Sequence, residues 1–381
     1  MIAYKFKLYR TKKTSALDNV LEEARLVWNH CLAMQKRYYR MYGRFIPKFT
    51  LSKHMTKAWH RQYLGSQSLQ EIVERLDASY RRFFNHTAKR PPKFKKRGEM
   101  HSFLFKQTGY RFNGNTILVT IGKRRVLYKF SRSRQYEGNI KTVGFHRSPL
   151  GEYYVVITTD GIPKRYGKSH KGASVGVDFG LKSYLTLSDG RKIGNPQYLK
   201  ASLSEMRKAS RRLSRSKAGS HNRERVRLAL CRAQEKVVNR RRDFQWKLAH
   251  DMCRRYDTIF VESLNLNGMC RRWGRKMGDL SHGTFVETLK YVAGKYGVTV
   301  HEIDKWYPSS QMCECGYKNS SLTLAARSWA CPCCGAEHDR DVNAARNILR
   351  KGISELVSDD KTKEAVPAEE QSRYQLRIPQ L

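Results

Sequence analysis

No run of apolar residues in this 381-residue chain approaches the roughly 20 that a membrane-spanning helix needs. The opening "MIAYKFKLYRTKK" also lacks the apolar core of a secretory signal, so a cytoplasmic location is expected. Acidic residues are scarce as well: 33 Asp and Glu stand against 75 Lys and Arg, a net charge of +42. A compact chain so charged repels itself unless a polyanion neutralises it, which makes nucleic acid the expected partner. A protein lying on an anionic membrane competes with this reading, but the positive charge runs through the whole chain and not along one amphipathic helix. No internal repeat is visible, so a repeat architecture is not expected.

What is present supports folding. Apolar residues make up 40% of the chain and aromatics 11%, enough for packed cores despite the charge. The length suits two or three domains. In a reducing compartment, clustered cysteines point to metal or catalytic sites, while the scattered Cys31, Cys231, Cys253 and Cys270 are expected to be reduced packing residues.

The opening "IAYKFKLYR" alternates apolar and basic residues like a strand with one wet face. Apolar residues then recur at spacings of three and four through Leu17, Leu21, Val27 and Leu32, and the helix they predict stops at Gly43. A second helical run, Leu69 to Phe83, carries Arg75, Arg81 and Arg82 on its other face. "AKRPPKFKKRGEM" breaks the helix and exposes Lys93, Lys95, Lys96 and Arg97, either as a solvated linker or as a phosphate-contacting arm. From Ser102 to Thr159, short alternating runs separated by Asn-Gly, Glu-Gly and Leu-Gly predict hairpins, hence a β-barrel or sandwich. The first strand has no local partner, so it is expected to join this sheet, with the helical layer inserted between. Beyond the loop-like "DGIPKRYGKSHKGA", three strands, long helices, strand, helix and strand follow in the order of an RNase H-like domain. The stretch after Gly352 is polar and aperiodic and is expected to be disordered.

Three acids stand out in that second half. In "SVGVDFGL", Val175, Val177 and Phe179 alternate to one face and Asp178 shares the other with Gly176 and Gly180, where the missing side chains would leave room for metal ions and a phosphate backbone. Glu262 ends the apolar strand "TIFVE", the end at which α/β sheets bind ligands. In "HDRDVNAARNI", Asp339 and Asp341 precede a helix, and each suits either an N-cap or a third ligand. Carboxylates converging from three elements suit two Mg²⁺ ions about 4 Å apart, and with them phosphodiester hydrolysis.

Directly before the last acids, "MCECGYKNSSLTLAARSWACPCCG" contains Cys313, Cys315, Cys331 and Cys334, which approximate the two knuckles of a four-cysteine zinc ribbon. The first knuckle is one residue short, which predicts a distorted turn and makes Cys333 an alternative ligand. Four sulfurs would fill a tetrahedral shell, so the zinc is expected to be structural.

"GVDFG", "VESL", "YPSSQMCECG", "SWACPCCG" and "HDRDVNAARNI" together resemble the TnpB family, transposon-encoded RNA-guided DNA endonucleases related to type V CRISPR nucleases. The likeness extends to "KFKLYR", "ARLVWNHCLA", "QSLQEIVERLDASYRRFF", "PPKFKKRG" and "KVVNRRRDFQWKLAHDM". It implies a multidomain α/β protein: a wedge-type β-barrel (1–10 and 100–168) with an inserted helical recognition layer (11–99), then an RNase H-like RuvC nuclease domain (169–308 and 337–352) carrying a zinc ribbon (309–336), and a disordered tail (353–381). Asp178, Glu262 and Asp341 match the catalytic acids that bind Mg²⁺, which leaves Asp339 as a supporting group. The resemblance further implies a guide RNA transcribed from the transposon end, and a double-stranded DNA target beside a short motif, cut on both strands by one site. Gln70 lies in the stretch resembling the motif reader, and Gln pairs bidentately with adenine. The basic run "RKASRRLSRSKAGSHNRERVRLALCRAQEKVVNRRRDF" would line a heteroduplex channel, with a monomer as the expected state. A three-acid DNA transposase and a non-catalytic RNA-guided regulator are the rival readings. The ribbon before the third acid and the lack of an evident N-terminal helix-turn-helix argue against the first, and retention of all three acids against the second.

Overall fold

The computed structural model describes residues 1–162, 164–167, 172–263, 266–323 and 326–364. The chain divides into two units, Met1–Pro163 and Lys164–Leu381. Together they form a mixed α/β protein with several separate sheets. Among the described residues, no helix is long and apolar enough to cross a membrane.

The first unit runs β1 (Ile2–Lys7), α1 (Ser15–Tyr42), α2 (Lys48–Ala58), α3 (Ser66–Phe84), β2 (Ser102–Phe105), β3 (Tyr110–Asn113), β4 (Thr116–Ile121), β5 (Arg124–Lys129), β6 (Ile140–Arg147) and β7 (Tyr153–Thr159). One antiparallel sheet has the order β1-β7-β6-β2 and a second the order β3-β4-β5. A bridge between Leu8 and Phe130 links them. β1 therefore pairs with the last strand of the unit, Ile2 opposite Thr159, and the three helices fall between β1 and the other strands in sequence. Alternation explains the core: Phe6, Phe103, Phe145 and Val155 point inward and meet Leu17, Leu21 and Leu69 of the amphipathic α1 and α3.

Two local devices shape the helical layer. Glu23 of α1 is buried, and its carboxylate accepts from Trp59 Nε1 at 3.1 Å and from the amides of Gln62, Tyr63 and Leu64 at 3.1, 2.6 and 2.8 Å. That set satisfies a buried charge and fixes the α2–α3 connection. The basic segment after α3 is no free linker. Trp28 Nε1 donates to the Lys93 carbonyl at 3.0 Å, and Asn29 exchanges two bonds with the Lys95 backbone at 2.9 and 2.8 Å. Residues 93–95 are thus an extended strap pinned to α1.

The second unit is built on β8 (Ser174–Phe179), β9 (Ser183–Leu187), β10 (Lys192–Gly194), α4 (Tyr198–Arg215), α5 (His221–Arg255), β11 (Thr258–Glu262), α6 (Leu266–Leu280), α7 (His282–Tyr296), β12 (Thr299–Ile303), β13 (Ser328–Ala330), β14 (Glu337–Asp339) and α8 (Arg340–Glu364). Its main sheet has the order β10-β9-β8-β11-β12; β8 pairs antiparallel with β9 and parallel with β11, which is parallel to β12. On one face Val175, Val177 and Phe179 pack against Leu248, Ala249 and Met252 of α5 and Phe285 and Leu289 of α7. On the other face Phe260 and Ile303 pack against Ile348, Leu349 and Leu356 of α8.

Two expectations change here. Gly176 does not open space for a ligand: a Cβ there would lie 2.1 Å from the Ala345 carbonyl and 2.6 Å from the Leu349 nitrogen. The glycine lets the backbone of α8 approach the sheet. The chain also does not become irregular after Gly352. α8 continues to Glu364, because Leu349, Gly352 and Leu356 share the face toward Phe260, and Glu355 meets His301 Nε2 at 2.8 Å. Residues 365–381 of the expected tail lie outside the described residues.

Candidate active site

Alternation along β8 turns Asp178 to the same face as Gly176, the face that α8 covers. Glu262 is the last residue of β11, which runs parallel beside β8. Asp341 is the second residue of α8, so the first turn of that helix brings it to the same carboxyl edge of the sheet. Asp178 senses the other two acids. Burial pushes the Asp178 carboxyl up to about 7, and repulsion from Glu262 and Asp341 adds to the rise, while Arg340 opposes it. Burial likewise pushes Glu262 up to about 7. Half-buried carboxylates, one of them repelled by the other two, form a hard, oxygen-rich site that favours a cation.

Arg327 and Arg340 stand beside this centre. Arg327 Nη1 stands 3.7 Å from Asp341 Oδ1, with its side chain half exposed. The Arg340 amide donates to the Arg327 carbonyl at 2.8 Å, and its guanidinium to the carbonyls of Thr323 and Ala326, both at 3.3 Å. A cavity of about 850 Å³ opens beside the β8–β9 turn, lined among others by Lys182, Lys200, Arg271 and Lys276. Neither arginine was singled out in the sequence, where each is one cation among 75 Lys and Arg.

The cysteine-rich segment precedes α8. Among the described residues, Cys313, Cys315, Cys331 and Cys334 have sulfurs all within 4.8 Å of one another. Cys313 lies 3.6 Å from Cys334, and Cys315 lies 3.6 Å from Cys331. The short first knuckle closes because the Gly316 amide donates to the Cys313 carbonyl at 3.1 Å and Gly316 adopts φ 88°, a turn that other residues resist. Four converging sulfurs are a donor set for a soft metal such as zinc. Cys333 is exposed and stands outside the set of four. His338 was not anticipated: it is buried, its Nε2 lies 3.1 Å from Cys313 Sγ, and its ring packs on Trp329 at 4.6 Å. Its signal is positional, since His338 faces Trp329 across the β13–β14 ladder.

Other singled-out residues lie in the first unit. Gln70 is half-buried on α3, beside Gln67, whose side-chain oxygen accepts the Gln107 and Thr108 amides at 2.9 and 3.2 Å. Lys93, Lys96 and Arg97 are exposed on the strap, and Lys95 lies over the Trp28 ring at 4.9 Å. α4 buries no residue and α5 only its inward stripe, so most of their Arg and Lys side chains face solvent. Burial pushes the thiols of Cys31 and Cys253 up to about 12, as befits inert packing residues, whereas Cys270 is exposed.

Comparison with known proteins gives three family matches. A model described as "Probable transposase", OrfB_IS605, matches residues 159–272; "Cas12f1-like, TNB domain" matches 282–348; and "Helix-turn-helix domain", HTH_OrfB_IS605, matches 1–44. In this chain the last of these stretches is a strand and one 28-residue helix. A candidate RNA-guided DNA endonuclease of Streptomyces pristinaespiralis is 29% identical over 370 residues, covering 94% of this chain and 91% of the relative. TnpB-like protein L770 of Acanthamoeba polyphaga mimivirus is 24% identical over 263 residues, 65% of this chain and 49% of its own length. Among solved structures, Cas12f1 in its complex with single guide RNA and target DNA superposes with a TM-score of 0.62 at 14% identity, over 89% of this chain and 83% of that one.

Proposed function

The chain belongs to the TnpB family, and from that premise we propose that it is an RNA-guided DNA endonuclease cutting both strands with one carboxylate site. The observation that carries this reading is the meeting of Asp178, Glu262 and Asp341 at one sheet edge, with the Asp178 carboxyl raised by burial and by the other two acids. In this reading the second unit is an RNase H-like RuvC domain (169–308 and 337–352) with a zinc ribbon (309–336). The first is a wedge-type barrel (1–10 and 100–168) interrupted by a helical recognition layer (11–99).

Asp178, Glu262 and Asp341 would hold two Mg²⁺ ions. Bound there, the ions supply an activated water and neutralise the leaving oxygen of the phosphodiester. The chain's own residues do the rest. Asp178 and Glu262 surrender protons when cations bind, since both carboxyls sit near 7 in the free protein. Arg327 and the cations around the β8–β9 cavity attract and orient the phosphate backbone. Cys313, Cys315, Cys331 and Cys334 would hold a structural Zn²⁺ as thiolates. Lys93, Lys95, Lys96 and Arg97 of the strap, with the exposed faces of α4 and α5, would contact phosphates of guide RNA and target DNA, and Gln70 would read the adjacent DNA motif. A guide transcribed from the transposon end would supply the target sequence by base pairing.

The test is purification of the protein with RNA expressed from its native flanking DNA, followed by incubation with a plasmid bearing the matching target. Cleavage in Mg²⁺, none in EDTA, and none by Asp178→Ala with RNA and target binding intact, are the expected results. Cutting by Asp178→Ala would refute the assignment. Mg²⁺-dependent cutting without any copurifying discrete RNA would favour a protein-guided transposase.

A further inference from the structure

Asp339 ends a ribbon strand and begins the helix that carries the third acid. As the last residue of β14 it pairs with Ser328 of β13. Its Oδ1 accepts from the amides of Asp341 at 3.1 Å and Val342 at 3.0 Å, the two donors that an N-cap satisfies at a helix start. Its Oδ2 accepts from Lys192 Nζ of β10 at 2.7 Å. Burial alone would raise this carboxyl, but Lys192 and the two amides outweigh it and hold it below its ordinary value. One carboxylate thus ties together the ribbon, the edge of the nuclease sheet and the peptide that carries Asp341. The neighbouring Arg340 is bound to the Thr323 and Ala326 carbonyls of the ribbon, so the first turn of α8 is held from both sides.

We propose that Asp339 is the positioning residue of the acidic centre: it sets the first turn of α8, hence Asp341, and makes cation affinity at the three acids depend on how the ribbon and β10 are seated. This rests on the reading of Asp178, Glu262 and Asp341 as cation ligands. Asp339 itself needs no contact with the ion. Groups that orient ligands in this way typically contribute roughly 10- to 100-fold to metal affinity.

The test is Mn²⁺ binding followed by electron paramagnetic resonance on the full chain with its copurified RNA, with Asp178→Ala giving the background from the RNA. Asp339→Ala should weaken Mn²⁺ binding by roughly 10-fold or more, with RNA and target binding retained. Asp339→Asn keeps the capping oxygen but loses the charged acceptor for Lys192, so it should weaken Mn²⁺ binding by clearly less than the Ala variant does. If the Ala variant does not accumulate, Asp339→Gly removes the same oxygens at a position where glycine is tolerated. Wild-type Mn²⁺ affinity in the Ala or Gly variant overturns the proposal, and an equal loss in Asp339→Asn overturns the capping route. If Asp178→Ala binds Mn²⁺ as the wild type does, the carboxylate reading fails instead, and the two failures are distinct.

Discussion

Replacing Asp178 by Asn should stabilise the cation-free protein while destroying its cleavage activity. The carboxyl moves from an ordinary 3.8 to about 7 on folding, because it is buried beside Glu262 and Asp341. At a pH well above 7 that difference costs the ionised form up to ~4 kcal/mol. Solvent at the half-buried rim screens part of the repulsion, so a net gain of about 2 kcal/mol is expected for the amide. For a unit of this size that corresponds to a rise of about 4–8 °C in the unfolding midpoint. The sign follows from the direction of the shift. The folded value lies above the unfolded one, so the destabilisation is absent at low pH, grows as pH rises from 3.8 towards 7, and is complete above 7. Thermal unfolding in EDTA at pH 8 and pH 5 reads this directly, with the advantage of Asp178→Asn falling to less than about half at pH 5. Millimolar Mg²⁺ at pH 8 should then stabilise the wild type and not the variant, because it binds only the folded acids. An equal advantage at both pH values, or none at pH 8, would refute the account of Asp178 as a carboxylate strained by its neighbours.

Gly176→Ala should lower stability by about 1–3 kcal/mol and reduce plasmid cleavage although no acid changes. The new Cβ meets the Ala345 carbonyl at 2.1 Å and must displace α8; unaltered unfolding and cleavage would show that α8 yields freely. Elemental analysis of the purified protein should find one zinc per chain, lost in Cys331→Ser and kept in Cys333→Ser, since Cys331 belongs to the four converging sulfurs and Cys333 does not. The reverse pattern would reassign the ligands.

Features that depend on neighbours in sequence were readable directly. Alternation along "IAYKFKLYR" and "SVGVDF" marks strands because side chains in a strand face opposite sides. The periodic apolar run up to Gly43 marks α1, which a glycine at φ 65° ends. The paired cysteines identify a metal-binding cluster because thiolates separated by one or two residues already lie close together. The positive balance alone points to a polyanion.

Other features needed the tertiary structure, because their partners are far apart in the chain. Asp178, Glu262 and Asp341 become one centre only when β8, β11 and α8 assemble, and only there does burial raise the Asp178 and Glu262 carboxyls, with repulsion from the other two acids adding to the rise at Asp178. The sequence offered two readings of "PPKFKK", and the bonds from Trp28 and Asn29 decide that it is a strap. Gly176 reads as open space beside an acid, yet its neighbour is the backbone of α8, well over a hundred residues later in the chain. The polar stretch after Gly352 reads as disordered because its apolar positions are few. Leu356 and the Glu355–His301 contact suffice to carry the helix on, since β11 and β12 supply the other half of the interface. Composition and local period therefore determined the class of partner and most of the elements. The packing of distant backbones decided which acids meet, what Gly176 is for and that the last helix runs on past Gly352, because those energies arise only between surfaces that folding brings into contact.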